Sequence, residues 1–213
     1  GVGGSYRPDD GATVNYRVNA DALREMVDHI RRSRQVERVD LVGEGSGAEI
    51  VADLADEAER IRSVSLSSTW YKELHPGFEA MAMAPEFEAL LRSSEDGYWV
   101  PNFVAGTLRR VTNQEIRDYV FATQSDLSVP TGTFLEFFDT GLPIIDAVAA
   151  QVPALIITSE FNFAPLEDTL NMVNDWGGGG RLAFIEGAGH VSRMQEPEIA
   201  AQFFKALFDF IDP

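Results

Sequence analysis

The chain has 213 residues, enough to bury one good core, and its 45% hydrophobic and 24% charged residues are typical of globular proteins. Its 34 acidic and 17 basic residues give a formal net charge of −17, which disfavours binding to nucleic acid or to an anionic membrane. The absence of cysteine excludes disulfides, thiolate catalysis and cysteine metal sites.

The first part of the chain combines a glycine-rich start with an amphipathic helix. The start reads Gly1-Val-Gly-Gly-Ser-Tyr-Arg-Pro8. After it, Asn19 is expected to cap a helix whose apolar residues recur at helical spacing. These residues are Leu23, Met26, Val27 and Ile30.

The segment Val39 to Ala48 is expected to be a strand, a sharp glycine turn and the start of a helix. Val39 to Val42 is a short apolar run typical of a buried strand, and an apolar helical pattern follows from Ile50. Such a turn raises one side chain above the sheet and needs small neighbours. If Gly43 and Gly47 are the outer glycines of the turn, the raised residue is Gly45. If the turn is shifted by one residue along the chain, the raised residue is Ser46, and Glu44 takes the position of the first glycine.

The next segments are expected to add a strand to the sheet and then to form a region outside it. Residues 62–67 have the pattern of a further strand, and a helix between two parallel strands makes a right-handed crossover. From Thr69 to Ala150 aromatic and methionine residues accumulate among prolines and short helical pieces, without a strand period. Large apolar side chains in such a region can line a pocket, as we expect for Trp70 and Trp99, or they can pack the helices together.

The last part of the chain returns to the α/β pattern. Gln151 to Glu160 is expected to be a buried strand, and residues 181–185 another. The second strand is followed by Gly187-Ala-Gly-His190 and by a helix that begins near Pro197. Ligands bind at the carboxyl ends of parallel strands, so His190 is a candidate pocket residue.

In this order the segments resemble the α/β-hydrolase family. The resembled motifs are the loop G-x-G-x-S-x-x-P, the nucleophile elbow G-x-S-x-G, the acid loop G-x-x-D-x-x-x-P and the histidine loop. Residues 159–165 fit the acid loop with Asn162 in place of aspartate, and Glu160 lies two residues earlier. In the family the first four strands precede the glycine-rich loop, so the resemblance implies a missing or separate companion segment.

The resemblance implies a doubly wound, mostly parallel α/β sheet of the α/β-hydrolase type with a helical cap. The expected parts are core residues 1–68, a cap at 69–150 and core residues 151–213. The expected catalytic residues are His190, Ser46, Glu160 and Asn162, and the expected substrate-binding residues are Gly45, Glu44, Trp70 and Trp99. No metal site and no cofactor are expected, because the three histidines lie far apart and no phosphate loop is present.

The expected function is His190-centred acid–base chemistry on a hydrophobic small molecule, such as hydrolysis, epoxide opening or cyclisation. One alternative is a serine ester or amide hydrolase that uses Ser46. The other is a non-catalytic binding protein, favoured by glycine and asparagine at two of the three triad positions. Because no apolar run reaches the length of a membrane span and no signal-peptide pattern is visible, a soluble cytoplasmic protein is expected.

Overall fold

The computed structural model of the chain describes residues 7–100, 111–112, 114–123, 128–141 and 145–212. The glycine-rich segment at residues 1–6 and Phe103 of the predicted cap lie outside the described residues. None of the described helices is long and apolar enough to cross a membrane.

The described strands form one four-stranded parallel sheet and one two-stranded antiparallel ribbon. The strands are β1 (Val39–Glu44), β2 (Ile61–Ser67), β3 (Tyr98–Trp99), β4 (Val129–Pro130), β5 (Ala154–Phe161) and β6 (Gly180–Gly189). The sheet has the order β1-β2-β5-β6, and β3 pairs with β4.

Eight helices of the described part connect and cover these strands. They are α1 (Tyr16–Arg34), α2 (Ser46–Ala52), α3 (Pro76–Ala82), α4 (Pro85–Arg92), α5 (Gln114–Thr123), α6 (Gly132–Thr140), α7 (Leu166–Asp175) and α8 (Pro197–Ile211). Short 3-10 helices at Gly11–Thr13 and Ser192–Met194 precede α1 and α8.

The core lies on both faces of the sheet, as the alternation of side chains along β5 makes clear. Ile156 packs into a cluster with residues of α1, α2 and α7, whereas Leu155 and Ile157 pack with Phe203 and Leu207 of α8 on the other face. Successive side chains of a strand point to opposite faces, so helices must cover both. The doubly wound α/β fold predicted from the sequence is therefore confirmed.

Two local predictions were wrong. The N-cap of α1 is Asn15, whose side chain accepts the N–H of Val18, whereas Asn19 lies inside the helix and its amide donates to the Asn15 carbonyl. The strand β1 is not fully buried: it pairs only with β2 among the described residues, and Val42 is 50% exposed. The region after β2 also contains the β3–β4 ribbon, which is too short to show a sequence period.

Candidate active site

The turn between β1 and α2 has Gly45 at its apex. Gly45 adopts φ +55° and ψ −129°, a backbone conformation that residues with a side chain rarely adopt. Its N–H donates to the Ser67 carbonyl at 2.9 Å. A Cβ on Gly43 would lie 2.3 Å from the Gly47 carbonyl oxygen, so the backbones before and after the apex are in close contact. The structure thus has the glycine turn in the register that puts Gly45, not Ser46, in the middle.

The space in front of Gly45 faces the ring of His190. Within the part of the chain that the structure describes, and apart from adjoining residues, a Cβ built on Gly45 would meet one heavy atom within 4 Å, the Nε2 of His190 at 3.8 Å. His190 follows the last residue of β6, at the carboxyl end of the sheet. The glycine turn and the histidine loop, separated by more than a hundred residues in sequence, therefore meet at one point.

Asn162 fixes the tautomer of His190. The Nδ1 of His190 lies 2.9 Å from the Oδ1 of Asn162, and the Nδ2 of Asn162 donates to the Thr158 hydroxyl at 3.3 Å. Because the amide nitrogen is directed at Thr158, the amide oxygen is the atom that accepts from the ring. Nδ1 then carries the proton, and the lone pair of Nε2 points into the space over Gly45.

The ring of His190 is held in an apolar contact. Phe163 stacks on it with ring centroids 4.4 Å apart, and the Phe163 carbonyl accepts the N–H of His75 at 2.9 Å. Burial lowers the pKa of His190 to about 4, because the imidazolium would lose its hydration. The imidazole is therefore neutral at neutral pH and available as a base.

Two serine side chains hold the backbone of the histidine loop. The Ser68 hydroxyl donates to the His190 carbonyl, and the Ser159 hydroxyl donates to the Gly189 carbonyl at 2.8 Å. Ser68 is 2% exposed and has φ +55°, a strained value for a residue with a side chain. The sequence analysis missed Ser68, since only the polar run at the end of β2 marks it.

Ser46 and Glu160, also predicted to be catalytic, have surroundings that differ from those of Asn162. Ser46 is the first residue of α2, and its hydroxyl lies near Tyr16 of α1. Glu160 is exposed, and its carboxylate accepts the N–H of Gly187 at 2.9 Å. Glu160 thus contacts the turn of the histidine loop, and it is Asn162 that bonds to the ring.

Glu44 forms an ion pair across the site. Its Oε2 accepts from both the Nε and the Nη2 of Arg193 at 2.6 Å. Burial raises the pKa of Glu44, and the Arg193 guanidinium opposes the rise. Glu44 precedes Gly45 and Arg193 follows His190 by three residues, so the pair links the two loops that form the site.

The two predicted pocket tryptophans lie in different places. Trp70 follows the end of β2 and packs on Phe137 of α6 with ring centroids 5.4 Å apart. Trp99 lies in β3 and packs against side chains of α4 and α6, 5.1 Å from Phe87 and 5.6 Å from Phe134 by ring centroids. Trp99 therefore packs the helices together, which is the alternative to lining a pocket.

No family model and no curated protein matches the chain in sequence. Solved structures do match its fold. A hydrolase from Pseudomonas aeruginosa PA01 is 21% identical with a TM-score of 0.70, covering 100% of this chain and 77% of that one. A monoglyceride lipase variant from Saccharomyces cerevisiae is 12% identical with a TM-score of 0.75, covering 99% and 74%. An enol-lactonase from Burkholderia xenovorans LB400 is 17% identical with a TM-score of 0.62, covering 100% and 78%.

These structures share with the chain a parallel sheet flanked by helices over nearly its whole length. The sheet order, the glycine turn after β1 and the histidine loop after β6 agree with the same architecture. The chain therefore has the α/β-hydrolase fold.

Proposed function

We propose that the chain is an enzyme that hydrolyses esters or lactones of hydrophobic small molecules, with His190 as the base and water as the nucleophile. The observation that carries the proposal is the meeting of Gly45 and His190: a Cβ at residue 45 would lie 3.8 Å from the Nε2, and glycine has no side chain to fill that position. A water molecule at that position would lie within reach of the lone pair that the Asn162 contact leaves on Nε2.

In the proposed reaction, Nε2 takes a proton from water as the oxygen attacks the carbonyl carbon. The negative charge moves to the carbonyl oxygen, for which the N–H groups in the first turn of α2 can act as donors. The bond to the leaving oxygen then breaks, and that oxygen receives a proton. Asn162 orients the ring but carries no charge to stabilise the imidazolium, so we expect slower turnover than with an aspartate.

The proposed substrates are hydrophobic because an aromatic ring covers the base and an aromatic pair follows β2. Phe163 covers one face of His190, and Trp70 and Phe137 form an aromatic pair near the end of β2. The net charge of −17 also disfavours anionic substrates. Uncharged esters and lactones with apolar chains fit these surroundings best.

The test is turnover of p-nitrophenyl esters and alkyl lactones of increasing chain length by the wild type and by His190→Ala. We expect the variant to lose at least about 100-fold in kcat/KM, which is the usual contribution of a general base. His29→Ala is the matched control, because His29 is on the exposed part of α1. Equal turnover by His190→Ala and wild type, or saturable ligand binding without any product, would contradict the proposal.

The Ser46 alternative makes a different prediction. A serine nucleophile reacts with a fluorophosphonate probe, whereas a water-based mechanism leaves the protein unlabelled. We expect no label on the wild type, because residue 45 and not residue 46 faces His190. A labelled Ser46 peptide in a digest would replace our mechanism with the serine one.

We also propose that a companion segment adds a strand beside β1. The support is the free edge of β1 in the described part of the chain, together with the exposed Val42. Proteins rarely leave such an edge uncovered. Intact mass measurement of the purified protein under denaturing conditions tests this: a second polypeptide that copurifies supports it, and a lone 23.5 kDa species contradicts it.

A further inference from the structure

The end of β2 lies between the two loops that form the candidate site. Ser67 is the last residue of β2, and its carbonyl accepts the Gly45 N–H at 2.9 Å. Ser68 comes next, and its hydroxyl donates to the backbone carbonyl of His190. Two consecutive residues thus bond to the apex of the glycine turn and to the base. Their positions therefore help to set the distance between Gly45 and the ring.

The hydroxyl of Ser68 has a fixed direction. Ser68 is 2% exposed, and its N–H donates to the Ile157 carbonyl of β5 at 3.1 Å. A hydroxyl has one hydrogen, and Ser68 directs it at the carbonyl of His190. The Ser67 hydroxyl, 3.3 Å away, is then the donor to the Ser68 oxygen. The Ser68 hydroxyl therefore both donates and accepts, which holds it toward His190.

The residue after Ser68 connects the same segment to α2. Thr69 is 4% exposed, and its hydroxyl donates to the Oε1 of Glu49, which is 2% exposed. Glu49 is four residues after Gly45, on the helix that follows the apex turn. Ser67, Ser68 and Thr69 thus bond in sequence to the apex turn, to the histidine loop and to α2.

The backbone of Ser68 is strained. Its φ is +55°, and Gln35 is the other described non-glycine residue with a positive φ. Gln35 is the C-cap of α1, where this conformation is common, whereas Ser68 follows a strand. A glycine would adopt the conformation of Ser68 without strain, but it would have no hydroxyl for the His190 carbonyl. The side chain therefore explains why a serine is present at residue 68.

We propose that Ser68 is a positioning residue for the base: its hydrogen bond to the His190 carbonyl keeps the Nε2 at the distance from Gly45 that attack by water requires. The inference rests on the proposed hydrolysis. Asn162 fixes the tautomer of the ring through Nδ1, and Ser68 fixes the backbone from which the ring extends. Both contacts matter for the rate, since a displacement of a reacting group by about 1 Å can cost about 100-fold.

The test compares Ser68→Ala and Ser68→Gly with wild type on a p-nitrophenyl ester. Both variants lack the hydroxyl, but alanine keeps the strained backbone whereas glycine relieves the strain. We expect both variants to lose about tenfold or more in kcat, with KM changed less than about twofold. Ser68→Gly should nevertheless unfold at a higher urea concentration than Ser68→Ala. A loss of kcat in the less stable variant alone would mean that Ser68 acts only through stability.

Ser65→Ala is the matched control. Ser65 lies on the same strand and is 0% exposed, and its hydroxyl has no hydrogen-bond partner among the described residues. The variant removes the same atom from the interior without breaking a hydrogen bond of the site, so we expect wild-type kcat. Equal kcat in Ser68→Ala, Ser68→Gly and wild type would overturn the role of Ser68.

A measurement without substrate separates this inference from the proposed hydrolysis. The Phe163 ring, with its centroid 4.4 Å from that of His190, shifts the NMR signals of the His190 ring protons. We expect Ser68→Ala to move these signals at neutral pH and Ser65→Ala to leave them in place. Moved signals together with no hydrolysis by wild type would refute the proposed hydrolysis but not the placement of the ring by Ser68. Unmoved signals in Ser68→Ala would refute that placement, whether or not the wild type is active.

Discussion

Gly45 places no side chain in front of the Nε2 of His190, although its backbone has the turn geometry of a residue that would carry one. The apex turn keeps φ +55°, and, among the described residues beyond its own neighbours, the Nε2 of His190 alone lies within 4 Å of a Cβ at that position. A serine hydroxyl there would extend toward the ring. The same turn in G-x-S-x-G motifs holds a serine in spite of its strain.

Gly45→Ser should therefore gain a reactive serine. We expect labelling of residue 45 by a fluorophosphonate, which the wild type lacks. The left-handed backbone should cost about 1–3 kcal/mol of unfolding free energy. Mass spectrometry of the labelled peptide and urea unfolding measure the two effects. Gly45→Ser combined with His190→Ala is the control, which should not label; labelling that persists without His190 would refute activation by the ring.

Asn162→Asp should turn the neutral contact of His190 into a charged one. A carboxylate 2.9 Å from Nδ1 would stabilise the imidazolium and raise the pKa of His190 from its value of about 4. The acid limb of the kcat/KM profile should then move to higher pH, and activity at pH 8 should rise about tenfold or more. NMR titration of the His190 ring gives the pKa directly. A pKa unchanged in Asn162→Asp would mean that the side chain at 162 does not control the base.

At the scale of elements, one carboxylate ties the segment after β2 to α7. Asp168 in α7 is 1% exposed and accepts the backbone N–H groups of Tyr71, Lys72 and Glu73 at 2.7–2.9 Å. Residues 71–73 belong to no described strand or helix. The first turn of α7 thus supplies the acceptor that their three consecutive N–H groups need.

Asp168→Ala should therefore loosen the connection between β2 and the segment that follows it. Three backbone N–H groups would lose a charged acceptor, and we expect a loss of about 3 kcal/mol or more in unfolding free energy. Limited proteolysis should show faster cleavage near residues 71–73. Glu167→Ala, on the exposed side of the same turn, is the matched control. If both variants unfold at the wild-type urea concentration, the Asp168 contacts contribute nothing to stability.

Local signals explain which elements and site residues the sequence predicts. Glycines, proline and apolar periods mark the apex turn, the histidine loop and α8 within a few residues of their observed bounds. The Glu44–Arg193 pair joins residues 149 apart, and the Glu49–Thr69 contact joins residues 20 apart. No local pattern encodes such pairs, because they depend on how the strands are ordered in the sheet. The exposure of β1 escapes prediction for the same reason: its apolar run does not tell an edge strand from a central one.

At the scale of the whole molecule, Glu49 and His190 make stability depend on pH in opposite directions. The folded pKa of His190, about 4, is below its ordinary value of 6.5, so its contribution is present above pH 6.5 and is lost toward pH 4. The folded pKa of Glu49, about 8, is above its ordinary value of 4.5, so its contribution is present below pH 4.5 and is lost toward pH 8.

The free energy of unfolding should therefore fall between pH 6.5 and 8, where only the Glu49 effect remains, by up to about 1.4 kcal/mol per pH unit. Urea unfolding at intervals of half a pH unit measures the slope. Glu49→Gln should remove the fall, because glutamine does not titrate. A wild-type curve that runs parallel to that of Glu49→Gln across this range would show that Glu49 is not held protonated in the folded protein.

Under the proposed mechanism, Phe163 would make the pKa of the His190 base depend on the size of the substrate. The Phe163 carbonyl accepts the backbone N–H of His75, which precedes α3, and the Phe163 ring covers His190. A bulky substrate that displaces His75 would, through this hydrogen bond, move the Phe163 ring away from His190 and expose the imidazole to water. The pKa of His190 would then rise toward its ordinary value, so large substrates should be turned over by a stronger base than small ones.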